Sequence, residues 1–215
     1  MSPTLVTALT LLSGICWTIV YIDIINRGFR DRTCGMPFFA LAFNIAWEFT
    51  FGFLIYQGLA LQRVVNVVWF SLDLIIVFTY FKYGRSEFPQ PYARFFVAWS
   101  VAAFAAAFIT LYFAGMEFPD RRGATYSAFA QNLMMSVLFI GMLVRRNNVS
   151  GQSMMIAVFK WLGTLAPTIL VWFATRSRLV LVLGIAIFFY DVLYMRMLYR
   201  KFIELRLSPV TRKPL

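Results

Sequence analysis

Long apolar runs broken by short, arginine-rich polar stretches organise this chain from end to end. A helix needs about 20 apolar residues, at about 1.5 Å each, to cross the roughly 30 Å hydrocarbon core of a bilayer. Measured this way, the runs predict spans near residues 3–25, 36–57, 64–82, 95–115, 124–144, 153–174 and 179–199. The expected fold class is all-α: one polytopic domain of seven transmembrane helices over residues 1–215, with connections too short to hold a soluble domain. The first run has no basic segment before it, and Arg27, Arg30 and Arg32 follow it. That order argues for a retained helix and against a signal peptide.

Composition removes the soluble alternatives. The chain is 61% hydrophobic, with only 20 Lys and Arg and 9 Asp and Glu among 215 residues, too few charges to clothe a water-soluble surface. The net charge of +11 would suggest nucleic acid if the cations formed one stripe. They are instead distributed among the breaks, which predicts a topology signal and no nucleic-acid partner. With the N-terminus outside, fourteen Lys and Arg fall on inner segments and five (Arg63, Arg121, Arg122, Arg176 and Arg178) on outer ones. The positive-inside rule therefore predicts N-out and C-in. Cys16 and Cys34 lack metal-ligand spacing and there is no histidine, so no metal or other cofactor is expected. Arginine outnumbers lysine sixteen to four, a bias of GC-rich genomes; the expected location is the plasma membrane in a bacterium and the endoplasmic reticulum in a eukaryote. Oligomeric state is left open.

Orientation converts sequence position into depth. Glu48 lies eleven residues past Pro37, roughly 16 Å from the inner face at the helical rise. Asp191 is nine residues before Arg200, and Asp73 nine before Lys82, so both lie roughly 13 Å deep. Asp23 falls near Arg27 at the inner end of the first helix and is expected to pair or snorkel there. Lys160, seven residues past Ser153, is expected to snorkel to the inner interface, with pairing to a buried acid as the alternative.

Two readings of the deep acids stand side by side. They are interhelical hydrogen-bond anchors, or they perform chemistry, the default for an ionisable group inside a membrane. An unpaired carboxyl among apolar walls favours its neutral form and is a proton donor in waiting. Most of the chain's aromatic residues, 19% of the total, pack helices or mark the interfaces. Those beside the acids are candidates to shelter a cation. Trp47 and Tyr190 adjoin Glu48 and Asp191 in sequence; Asn44, one turn before Glu48, is placed to orient it, as Tyr194 is for Asp191. Pro167, with Gly163 one turn before it, is expected to kink the sixth helix and widen a cavity. A retinal protein is excluded, because the seventh helix carries no lysine deep enough for a Schiff base.

Several blocks resemble the small integral-membrane terpene cyclases of meroterpenoid and indole-sesquiterpene biosynthesis. The most specific is Phe29 to Pro37 (FRDRTCGMP) followed by Ala40 to Phe49 (ALAFNIAWEF); Trp69 to Asp73, Lys82 to Gly84 and Asp191 to Tyr194 are shorter matches. The resemblance implies metal-independent cyclisation started by protonation of a prenylated, often farnesylated and epoxidised, aromatic or indole substrate, a hydrophobic partner reached through membrane lipid. It also implies that Glu48 and Asp191 are the essential acids, with Asp73, Asn44, Trp47, Tyr190 and Tyr194 in supporting positions and the division of labour open. The rival reading is a small proton-coupled transporter that relays ions through midplane carboxylates, although no three-helix repeat is visible in the chain.

Overall fold

The computed structural model describes residues 1–55, 60–118 and 122–214. They form seven helices: α1 (Pro3–Asp31), α2 (Phe38–Phe49), α3 (Ala60–Tyr83), α4 (Phe96–Glu117), α5 (Arg122–Arg146), α6 (Met154–Thr175) and α7 (Arg178–Glu204). Serines set three of the starts. Ser2, Ser153 and Ser177 turn their hydroxyls back to accept from the backbone N–H groups of Leu5, Ile156 and Val180, satisfying donors that the first helical turn leaves free. Arg32 and Arg176 end α1 and α6 in left-handed geometry, their N–H groups returning to Gly28 and Trp172.

Six of these helices, or the stretches containing them, are long and apolar enough to cross a bilayer. The seventh is α2, and here the expected span of 36–57 is corrected. The α-helix gives way to a π-helical turn at Thr50–Leu54 and Ile55 is extended, so the continuous element Phe38–Leu54 is shorter than the others. Residues 56 and 57 of the expected span, and the outer Arg121, lie outside the described residues. The wider turn has its own fastening: Arg63 Nε donates to the Gly52 carbonyl at 2.9 Å.

The helices close on one another as an irregular ring. α1 packs chiefly against α6 and α3; α2 packs against α3, α4 and α5; α7 packs against α5 and α6. The main core gathers Val20, Tyr21 and Ile24 of α1 with Met135, Phe139, Ile156, Tyr194 and Leu198.

Polar contacts gather the ends of α1, α3 and α5 and the C-terminal tail at one end of the bundle. Arg146 grips Glu87 through Nη2 and Nε at 2.8 and 3.0 Å, and also reaches the carbonyls of Cys34 and Ser150. Asp31 takes Arg212 Nη1 and the Gly151 N–H, both at 2.8 Å. Asp23 meets Arg27 at 3.3 Å, as expected, and also accepts from the Ser153 hydroxyl. The FRDRTCGMP block is part of this clasp, which explains the chemical variety of its residues. Gly35 is needed because a Cβ there would stand 2.7 Å from the Ile24 carbonyl oxygen.

Candidate functional site

A cavity of about 260 Å³ lies among α1, α2, α3, α5 and α6, and none of its lining residues comes from α4 or α7. Trp17, Tyr21, Trp47, Phe51, Trp69 and Phe129 supply aromatic surface, and Glu48, Asn44, Gln131 and Asn132 supply polar atoms.

Two local features shape the wall of this space. Gly163 lies against the Trp17 ring, whose nearest atom would stand 2.9 Å from a Cβ at that position. Pro167 then removes the N–H that would bond the carbonyl four residues earlier. That carbonyl belongs to Gly163, and the Ser13 hydroxyl donates to it at 2.7 Å. A backbone acceptor freed inside a membrane needs such a replacement. α1 and α6 are thereby joined at the cavity wall.

Glu48 is 1% exposed and Asp73 is fully buried. Tyr21 donates its phenolic hydrogen to Glu48 Oε1. The Asn44 amide nitrogen is hydrogen-bonded to Tyr21 Oη, to Glu48 Oε1 at 3.0 Å and to Asp73 Oδ2 at 2.9 Å. Asn44 thereby bridges the two carboxyls. Glu48 Oε1 is already occupied as an acceptor, while Glu48 Oε2 and Asp73 Oδ1 receive no N–H or O–H from the protein. Tyr21 is flanked by Trp69, stacked at 5.8 Å, and by Trp17, tilted at 6.3 Å. The Trp47 indole N–H is held by Ala124 O and Ser127 Oγ, which fixes α2 against α5.

Of the residues singled out in the sequence, the fold brings Glu48, Asp73, Asn44 and Trp47 together. It sets Asp191, Tyr190 and Tyr194 apart. Asp191 is on α7, behind α6, and its Oδ1 is 2.7 Å from Lys160 Nζ. Lys160 also donates to Ser136 Oγ at 2.6 Å and is fully buried. The expectation that Lys160 extends to the interface is corrected: its face of α6 looks at α5 and α7, where a hydroxyl and a carboxylate meet the ammonium. Tyr194 bonds Gln152 at 3.1 Å and not Asp191; Tyr190 stacks edge-on with Phe189. Tyr21, Gln131 and Asn132 carry no signal in the sequence, and Trp69 enters there only as the start of a matching block. Nothing in sequence separates Tyr21 from the other nine tyrosines.

Residues 2–201 match the family model described as Pyr4-like transmembrane terpene cyclases. Among curated proteins, the Pyr4-family terpene cyclase mfmH of Annulohypoxylon moriforme is 35% identical, the alignment covering 76% of this chain and 69% of that protein. Asnovolin H synthase nvfL of Aspergillus novofumigatus is 27% identical over 76% of this chain and 68% of its own length. Terpene cyclase pyr4 of Aspergillus fumigatus is 27% identical over 72% and 65%. No solved structure matches the chain.

Proposed function

The chain belongs to the Pyr4-like transmembrane terpene cyclases, and from that premise we propose that Glu48 starts a cation cyclisation on a prenylated aromatic substrate held in the cavity. The observation that carries the proposal is a carboxyl lining an aromatic-walled cavity, bridged through Asn44 to a second acid and occupied as an acceptor on one oxygen only. The proton leaves Glu48 for a terminal epoxide oxygen or alkene carbon. With an epoxide, the C–O bond opens as the proton arrives. The cation is then taken up by the next alkene, each step forming a C–C bond from a π pair. A final C–H proton passes to a carboxylate or water, so substrate and product are isomers.

Each neighbour has a part. Tyr21 and Asn44 hold Glu48 Oε1 so that the opposite oxygen delivers the proton, a positional gain of the kind general acids need. Asp73, joined to Glu48 through the Asn44 amide nitrogen, is the second acid that takes up charge after the transfer. Trp17, Trp69 and Trp47 offer ring faces to the travelling cation. Asp191 acts from outside the cavity, as the counter-charge that allows Lys160 to remain buried between α6 and α7. The positive-inside rule places the clasp end in the cytoplasm, which sets the cavity toward the outer half of the membrane. Nothing among the relatives supports the carrier reading.

The test is to supply membranes or purified protein with an epoxyfarnesylated or farnesylated aromatic and look by mass spectrometry for a cyclic product of unchanged mass. Recovery of only linear material from folded protein across both substrate types overturns the proposal.

A further inference from the structure

Asn132 and Gln131, neighbours on α5, stand among the cavity-lining residues, and Asn132 has a feature that fixes its chemistry. The Thr164 hydroxyl donates to the Lys160 carbonyl at 3.0 Å, so its one hydrogen is used. Asn132 Nδ2 lies 2.8 Å from the same Thr164 oxygen, which must therefore accept. This chain of donors sets the amide the one way round: nitrogen toward α6, Oδ1 away from it. Asn132 Oδ1 is buried and receives no hydrogen bond from the protein. Gln131 is 9% exposed, and its Oε1 is likewise buried without a donor. A buried acceptor without a donor is destabilising by itself, and two on consecutive residues of one cavity wall define a place for a hydrogen-bond donor.

We propose that Asn132 and Gln131 form a head-group subsite that selects substrates with a free N–H or O–H on the aromatic ring system. This rests on the cyclase reading given above and extends it. The prenyl chain has no polar hydrogen, so the head group is the part of the substrate that can satisfy these oxygens, after a small adjustment of the two buried side chains. Binding it on α5 leaves the reacting end of the chain to approach Glu48 on α2, across the same cavity. The subsite thus sets the direction in which the substrate enters, and Thr164 acts as a positioning residue through Asn132.

The experiment compares two linear substrates that differ only by methylation of the head-group nitrogen or oxygen, assayed with the wild type, with Asn132→Leu and with Thr164→Val. In the wild type, methylation is expected to lower kcat/KM on the order of tenfold to a hundredfold, mainly through KM, the scale of leaving buried acceptors unpaired. Asn132→Leu should bring the two substrates to within about threefold of each other. Thr164→Val, which keeps the side-chain volume and frees the amide to turn over, should narrow the gap as well. A merely structural role for either residue would lower both substrates in parallel and leave their ratio unchanged, and that result overturns the inference. So does equal turnover of both substrates by the wild type. No cyclic product from either substrate defeats the underlying cyclase reading, a distinguishable outcome.

Discussion

At the clasp end of the bundle, nearly every strong polar group named above meets a partner of opposite character: Arg146 with Glu87, Arg212 with Asp31, the Gly151 N–H with Asp31. Around the cavity, Glu48 Oε2, Gln131 Oε1 and Asn132 Oδ1 are buried with no donor, and Asp73 Oδ1 just behind them is in the same condition. The chain thus saturates most of its polar atoms where helices must be fastened and leaves several open around the cavity, although Arg27 Nε at the clasp and Asp191 Oδ2 beside Lys160 also lack a hydrogen bond. Saturation at one end holds the helices still; deficiency at the other is tolerable only because the first end provides that rigidity.

The largest test of this contrast is Glu48→Gln, which keeps shape and removes the acid. We expect about a 10²–10⁴-fold loss of cyclisation with expression and thermal stability held near the wild type; a variant that still cyclises at the parent rate ends the assignment of Glu48. Next is Asp191→Asn, which leaves Lys160 buried without its counter-charge. The expected penalty is about 3–5 kcal/mol of stability, largely relieved when Lys160→Met is added, as removing both charges costs less than removing one. Detergent-resistant fluorescence melting reads this directly, and if the double variant folds well but stays inactive, Asp191 has a chemical role that the fold does not reveal. Arg146→Ala, at the clasp, should cost about 1–3 kcal/mol and leave kcat/KM per folded molecule unchanged; an altered product pattern would mean that the two ends are not separate. The smallest effect concerns Cys34. Burial pushes its thiol up to about 11, so thiolate is scarce at neutral pH. Labelling of folded protein by a maleimide should be slow at pH 7, and fast labelling would show the clasp to open.

That the three deep acids are buried was legible in the sequence, for each is at most 1% exposed, and direction around each helix was not. A rise of about 1.5 Å per residue put Glu48, Asp73 and Asp191 at a common level without any knowledge of the fold, and the one-turn spacing of Asn44 from Glu48 survived in the structure as a 3.0 Å hydrogen bond. Which way a side chain looks is another matter. These helices are apolar on nearly all sides, so no polar stripe reveals the inward face. Asp191 and Lys160 therefore looked like an acid at the site and a cation at the surface, and the fold made them partners. Tyr190, adjacent to Asp191 in sequence, is turned roughly 100° from it on the helix, and Tyr194 found Gln152 instead. The π-helical turn at Thr50–Leu54 likewise carries no mark in composition, since Thr-Phe-Gly-Phe-Leu is as apolar as its surroundings.

Ser13 and Pro167 show that the effect of one substitution is conditional on another. As long as residue 167 is proline, the Gly163 carbonyl depends on a hydroxyl from a different helix; give residue 167 an N–H and that dependence vanishes. Ser13→Ala is therefore a harmful change in one genetic background and nearly a silent one in another. Anyone reshaping this cavity by directed evolution would meet the two positions as a single coupled unit, in which the order of mutations decides whether a path stays open.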